Sequence, residues 1–204
     1  MDVLNLIRKR RSVRKFKTRR IPEEKLLAIL EAGRFAPSGA DRQPLLMIVV
    51  DDRGLKSRIR EKSEEADREW RQQAPHWFKV WAKGAGISPE KDFLTSAPLL
   101  LCIFGDCTAP YWLESVWIAI GYITLTATEQ GLGCLTYTPG EMEFLNPLLG
   151  APGHFKPVAI IPVGFPAESP SYRRRRRRTL REFVHVNRYG FRGGIPETLD
   201  LKHA

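Results

Sequence analysis

Solid apolar runs and helix-spaced apolar positions alternate along the 204-residue chain. The first well-signalled helix opens at Pro22, followed by Glu23 and Glu24; proline suits a first helical turn and acids oppose the helix dipole there. Leu26, Leu27, Ile29 and Leu30 give this helix a broad apolar face, and Gly33 weakens its end. A loop dense in turn formers, Ala36 to Pro44 (APSGADRQP), leads into Leu45–Val50, six apolar residues closed by Asp51 and Asp52. That run reads as a strand in a sheet covered on both faces.

Between residues 55 and 93 the character changes. Lys56 to Arg71 is charged and helix-friendly, and Trp77, Phe78 and Trp81 then appear in a stretch broken by Pro75, Gly84, Gly86 and Pro89. A second buried strand, Leu99 to Phe104, follows Pro98. Glu114 to Glu129 forms a long helix ending at Gly131, apolar nearly all round, which must be covered on every side, in the core or at a subunit interface. Gly133 to Thr138 reads as a third strand and Pro157 to Val163 as a fourth. Strands separated by helices indicate an α+β or α/β sandwich, one sheet with covering helices. The tail after Arg178 has little periodicity, and there is no internal repeat.

Composition narrows the classes. With 43% hydrophobic and 27% charged residues, the chain is neither disordered nor collagen-like, and three cysteines do not make a disulfide scaffold. The net charge of +10 is concentrated in two places. Arg8 to Arg20 holds nine cations and no acid, and Arg173 to Arg178 adds six arginines. Without these 15, the remaining 18 cations face 23 acids. The two segments either form a diffuse basic patch, as a nucleic-acid-binding module would, or converge on one strongly anionic ligand. The N-terminus lacks the apolar run of a signal peptide, and Val116 to Thr128 is too short for a bilayer, so a cytoplasmic protein without a membrane partner is expected. The histidines and cysteines show no paired spacing for a metal, and no Gly-rich phosphate loop is present.

The positive signal is anion binding. Arginine forks and a serine hydroxyl crowd into Arg10-Arg11-Ser12-Val13-Arg14, a composition suited to phosphate. Continued through Lys15-Phe16, this segment resembles the opening signature of the FMN-dependent nitroreductase family. The loop 36–44 resembles that family's A-P-S-x-x-N-x-Q-P, and Gly131-Leu132-Gly133-Cys134 resembles the opening of the strand that runs beneath the flavin. Val163-Gly164-Phe165-Pro166 with Arg177-Arg178-Thr179-Leu180 resembles its closing pattern.

The resemblance implies one nitroreductase-like domain over 1–204: a three-layer α+β sandwich with a mostly antiparallel sheet, in an intertwined homodimer. It makes 55–93 the variable substrate-covering segment, where Trp77, Phe78 and Trp81 could stack over the flavin, and 179–204 an extension wrapping the partner. By position, Arg10, Arg11, Ser12 and Arg14 would hold the phosphate, ribityl and pyrimidine end of FMN, with Arg175 and Arg177 completing the phosphate site. Pro37, Ser38, Gly39 and Asp41 would reach the flavin from the partner subunit, and Thr136, Tyr137 and Thr138 would approach the ring near N5. Two departures stand out: Asp41 replaces the usual Asn, accepting but not donating a hydrogen bond, and Pro139 has no N–H. The implied activity is ping-pong reduction of nitroaromatic, quinone-like or other electron-poor small molecules by NADH or NADPH through FMN, with no catalytic acid–base side chain. Specialised relatives instead dehalogenate, reduce enoates or cleave flavin.

Overall fold

The computed structural model describes residues 2–85, 87–168 and 177–194. The chain divides into two compact units, Met1–Pro170 and Ser171–Ala204. The larger is built on four strands, β1 (Leu45–Val50), β2 (Leu99–Asp106), β3 (Gly133–Cys134) and β4 (Phe155–Gly164). They lie in the order β1-β2-β4-β3, every pair antiparallel. Around them run the helices α1 (Val3–Lys9), α2 (Glu23–Arg34), α3 (Arg53–Gln73), α4 (His76–Gly84), α5 (Phe93–Ser96), α6 (Trp112–Glu129) and α7 (Leu145–Leu149).

Period-two alternation in β2 makes the layers. Leu99, Leu101 and Ile103 pack with Ile29 of α2 and with Val116, Ile120 and Ile123 of α6. Leu100, Cys102 and Phe104 pack with Ile59 of α3, Phe93 and Leu94 of α5, and Leu145 of α7. The result is the expected α+β three-layer sandwich, with the central strands apolar on both faces because helices cover both. β1 departs from full coverage: as an edge strand it is largely half-buried, and Val49 is exposed. Gly33 does more than weaken a helix end. A Cβ there would meet Ile123 Cδ1 and Met47 Sδ at 3.1 Å each, so glycine lets α2 lie close against α6 and β1.

The third strand is shorter than the sequence pattern predicts. The register of Gly133 with Gly164 and Cys134 with Val163 continues to Tyr137 opposite Ile160, and those two exchange N–H···O bonds of 3.0 and 2.9 Å. Between them Leu135 comes opposite Pro162, which has no N–H to give, and the ladder breaks there. Residues 135–136 are thereby freed from regular pairing.

Asp52, expected only to end a strand, caps α3: its carboxylate accepts from Leu55 N at 2.7 Å. The aromatic stretch after Pro75 is a helix, α4, and α1 is a further helix too short to register as a pattern. In the smaller unit, the 3₁₀ turn Leu180–Glu182 carries a capping box in which Thr179 N donates to Glu182 at 2.6 Å.

Burial separates the three thiols. It pushes Cys102 up to about 12 and Cys134 up to about 11, whereas Cys107 is exposed. Because the thiolate is the reactive form, a disulfide reagent at pH 8 should titrate one thiol in the native protein and three after denaturation. Two or three fast native thiols would contradict the packing of β2 and β3.

Candidate flavin site

The segment after α1 is held as an added strand. Ser12 bridges Cys134 in parallel, Val13 N donates to Cys134 O at 2.9 Å, and Phe16 bridges Pro166. Val13 is buried over Gly133, where a Cβ would stand 2.5 Å from Val13 Cγ2. The backbone that presents Arg10, Ser12 and Arg14 is therefore registered against the strand leading to Thr136–Thr138. Arg10 and Ser12 are half-buried and Arg14 exposed; Thr136 is half-buried, Tyr137 buried and Thr138 exposed. These predicted residues come together at one sheet edge.

Arg11 is placed differently. Its Nη1 donates to Arg8 O and, at 2.9 Å, to Arg10 O, so the guanidinium caps the carbonyl end of α1. Other cations of the segment are also engaged locally. Lys15 pairs with Glu168 at 2.7 Å, and the Arg19 guanidinium lies 4.5 Å from the centre of the Phe165 ring. Arg175 lies outside the described residues. Arg177 is exposed in the smaller unit.

Pro37, Ser38, Gly39 and Asp41 sit at the opposite edge of the sheet, ahead of β1. Gly39 N donates to Ser115 Oγ at 3.1 Å, and Ser115 Oγ donates to Tyr111 O at 2.7 Å, pinning the loop to the start of α6. A Cβ on Gly39 would meet Tyr111 at 2.7 Å. Ala40, Asp41 and Gln43 have φ of +50°, +51° and +46°, each costing on the order of 1–2 kcal/mol for a residue with a side chain. Gln43 Nε2 donates to Asp41 Oδ1 at 3.1 Å and Gln43 N to Ser38 Oγ at 3.0 Å, bonds that hold the strained shape. Behind the loop, α2, β1 and α6 enclose a cavity of about 260 Å³ that Pro37, Ser38 and Ser115 help to line.

The two groups do not meet within one chain. Leu45 is level with Lys156 of β4, and Tyr137 with Ile160, three strands away. Strand spacings of about 4.8 Å and four residues at about 3.3 Å separate them by about 20 Å, further than one flavin ring reaches.

Four residues that the sequence did not single out complete the Tyr137 side. Asp67 of α3 accepts from Gly140 N at 3.3 Å and pairs with Lys91 at 2.7 Å, the Lys91 side chain buried and that of Asp67 mostly so (5% and 14% exposed). Lys91 also donates to Ser88 O and Pro89 O at 2.7 and 2.8 Å, and its ammonium lies 5.7 Å from the centre of the Tyr137 ring. Trp70 is packed where a Cβ on Gly140 would be, 2.6 Å from Trp70 Cβ, and meets Phe78 edge-on at 4.5 Å. Ser63 is wholly buried. Nothing local marks Asp67 or Lys91, since each is one charge in a solvated-looking run. Trp77 and Trp81, the aromatics expected over the flavin, are 68% and 53% exposed on α4.

The residues of this sheet edge suit FMN. Arginine and serine side chains are presented by backbone that is held on β3 beside residues 135–136, which are free of regular pairing. The comparisons agree. The model of the nitroreductase family matches residues 7–165. Iodotyrosine deiodinase of Thermotoga neapolitana is 36% identical over 171 residues, 83% of this chain and 92% of that protein. A protein of Methanothermobacter thermautotrophicus, named as a putative NADH dehydrogenase/NAD(P)H nitroreductase, is 30% identical over 85% of this chain and 82% of its own. A crystal structure of oxidized iodotyrosine deiodinase bound to FMN and 3-iodo-L-tyrosine superposes with a TM-score of 0.82 at 35% identity, covering 92% of this chain and 98% of that one. Fold, site and sequence thus converge, and the chain belongs to the nitroreductase family of flavin-dependent redox enzymes.

Proposed function

We propose that the enzyme removes halogen reductively from halogenated phenols of the iodotyrosine kind, using FMN and a reduced nicotinamide, as a homodimer. What carries this is the strength of the likeness to iodotyrosine deiodinase, 36% identity over 83% of this chain and a TM-score of 0.82 to the structure with FMN and 3-iodo-L-tyrosine. It takes precedence over general reduction of nitroaromatics and quinones.

Arg10, Ser12 and Arg14 would hold the phosphate and ribityl end, and the backbone of Thr136–Thr138 would face the ring. When bound, FMN supplies the two-electron chemistry, so that the carbon–iodine bond is exchanged for carbon–hydrogen and iodide leaves as nicotinamide is oxidised. The chain's part is to bind, orient and cover. Trp70 and Phe78 place apolar ring surface beside Gly140, where an aromatic acceptor can be shielded from water.

Two observations support the dimer. Leu45, just after the Pro37–Asp41 loop, and Tyr137 lie about 20 Å apart in one chain, so a flavin touching both groups takes one set from each copy. Leu113, Trp117, Ile118 and Tyr122 of α6 remain 41–43% exposed, an apolar face on a helix that otherwise fills the core.

The purified protein should be yellow, with about one FMN per chain, and Arg10→Ala should weaken FMN binding by roughly 1.5–3 kcal/mol. With dithionite or reduced nicotinamide as donor, it should release iodide from 3-iodotyrosine with a kcat/KM above that for a nitrofuran or a benzoquinone. A yellow protein that reduces the nitro compound and quinone but releases no iodide would return the reading to general nitroreduction.

A further inference from the structure

Tyr137 stands in the segment assigned to the flavin ring, yet its side chain turns away into the layer beneath α3. The ring is wedged between Phe93, edge-on at 5.3 Å, and the Lys91 ammonium. Its hydroxyl is buried and meets hydrogen-bond geometry with no described residue; Ser63 Oγ, also buried, is in the same position. Asp67 and Ser63 nonetheless lie close enough to bias the phenol: burial first, then the Asp67 charge, pushes its pKa up, so the hydroxyl keeps its proton. Two unsatisfied buried hydroxyls beside one carboxylate are uncommon in a folded core.

The carboxylate is shared by three parts of the chain. Oδ1 accepts from Gly140 N, Oδ2 faces Lys91 Nζ, and the side chain belongs to α3. Lys91 Nζ donates to Ser88 O and Pro89 O and stands 2.7 Å from Asp67 Oδ2, which leaves the lysine to orient the carboxylate.

We propose that Tyr137 and Asp67 form a positioning unit for residues 136–140, in which the Tyr137 hydroxyl donates to Asp67 and Asp67 holds the Gly140 N–H, so that α3, the covering helix, sets the backbone presented to the flavin. This rests on the flavin site proposed above. Neither residue is a catalytic residue: both act through the backbone of Thr136 and Thr138.

Tyr137→Phe removes one oxygen and keeps the ring, so a packing role alone predicts no change. Under the proposal, amide hydrogen exchange in a peptide spanning 136–140 becomes at least tenfold faster in Tyr137→Phe, in both the FMN-loaded and the FMN-free protein. In the loaded protein the flavin midpoint potential shifts and kcat falls at unchanged KM. Asp67→Asn, which keeps the shape of the carboxylate, should produce the same exchange change, and the double variant should go no further than the larger single one. Exchange and potential in Tyr137→Phe identical to wild type overturn the proposal. Additive effects in the double variant do so as well. Because exchange is read without FMN, a wild type that binds no flavin would sink the flavin assignment while leaving the hydroxyl–carboxylate contact to be judged by its own measurement.

Discussion

Lys91→Met is expected to be among the most destabilising single substitutions in the protein, costing about 3–5 kcal/mol. The substitution keeps most of the apolar stem but strands Asp67, whose side chain is 14% exposed, with no cation at its second oxygen. It also deprives Ser88 O and Pro89 O of their donor. For a chain of this size such a loss lowers Tm by about 6–20 °C. Lys62→Met is the matching control, since Lys62 pairs with Glu65 at 2.8 Å with both side chains about half exposed, and should change stability by less than about 1 kcal/mol. Urea unfolding of both variants checks this: the midpoint should move in Lys91→Met with the slope preserved. Equal midpoints for the two would mean that the Asp67–Lys91 pair contributes no more than a surface contact.

Gly133→Ala is expected to damage stability and cofactor binding together. The new methyl would lie 2.5, 2.7 and 2.9 Å from Cγ2, Cβ and Cγ1 of Val13. Val13 has no free direction in which to yield, because it is buried and its N–H is bound to Cys134 O. The backbone of 10–14 has to move, at a cost of about 1–3 kcal/mol for overpacking. Arg10 and Ser12 move with it, and losing one charge-assisted bond to the phosphate weakens FMN binding on the order of tenfold or more. Fluorescence titration with FMN and a thermal melt give both numbers. The double variant Gly133→Ala, Val13→Ala removes the clash and should recover most of the FMN affinity. A single variant that binds FMN like wild type would show that the 10–14 segment does not need its register on β3.

Much of this molecule is written in local sequence. The apolar run of β2 and the apolar stretch of β4, with α2 and α6 between loops of turn formers, follow from periodicity and from the chemistry of helix ends, which act over a few residues. The basic segment that the proposed phosphate site draws on is legible too, since nine cations without an acid in thirteen residues is a strong departure from the rest of the chain. The length of β3 was not. It depends on Pro162, some thirty residues further on and opposite Leu135, so the missing N–H matters only once β4 is paired. Gly33 and Gly133 look alike in sequence to any weakening glycine; the side chains of Met47, Ile123 and Val13 that approach them come from other elements.

Asp67, Lys91 and Tyr137 are the sharpest case. In sequence they are an acid in a charged helix, a lysine between two acids and a tyrosine between threonines, 24 and 46 positions apart. Only packing of α3 and of the 88–91 turn over residues 137–140 removes water from around them, and removal of water is what turns two ordinary surface charges and a phenol into a coupled buried group. Local sequence determined the layers and the basic segment beside β3. Tertiary packing decided which polar side chains are buried together, because burial is a property of neighbours distant in the chain.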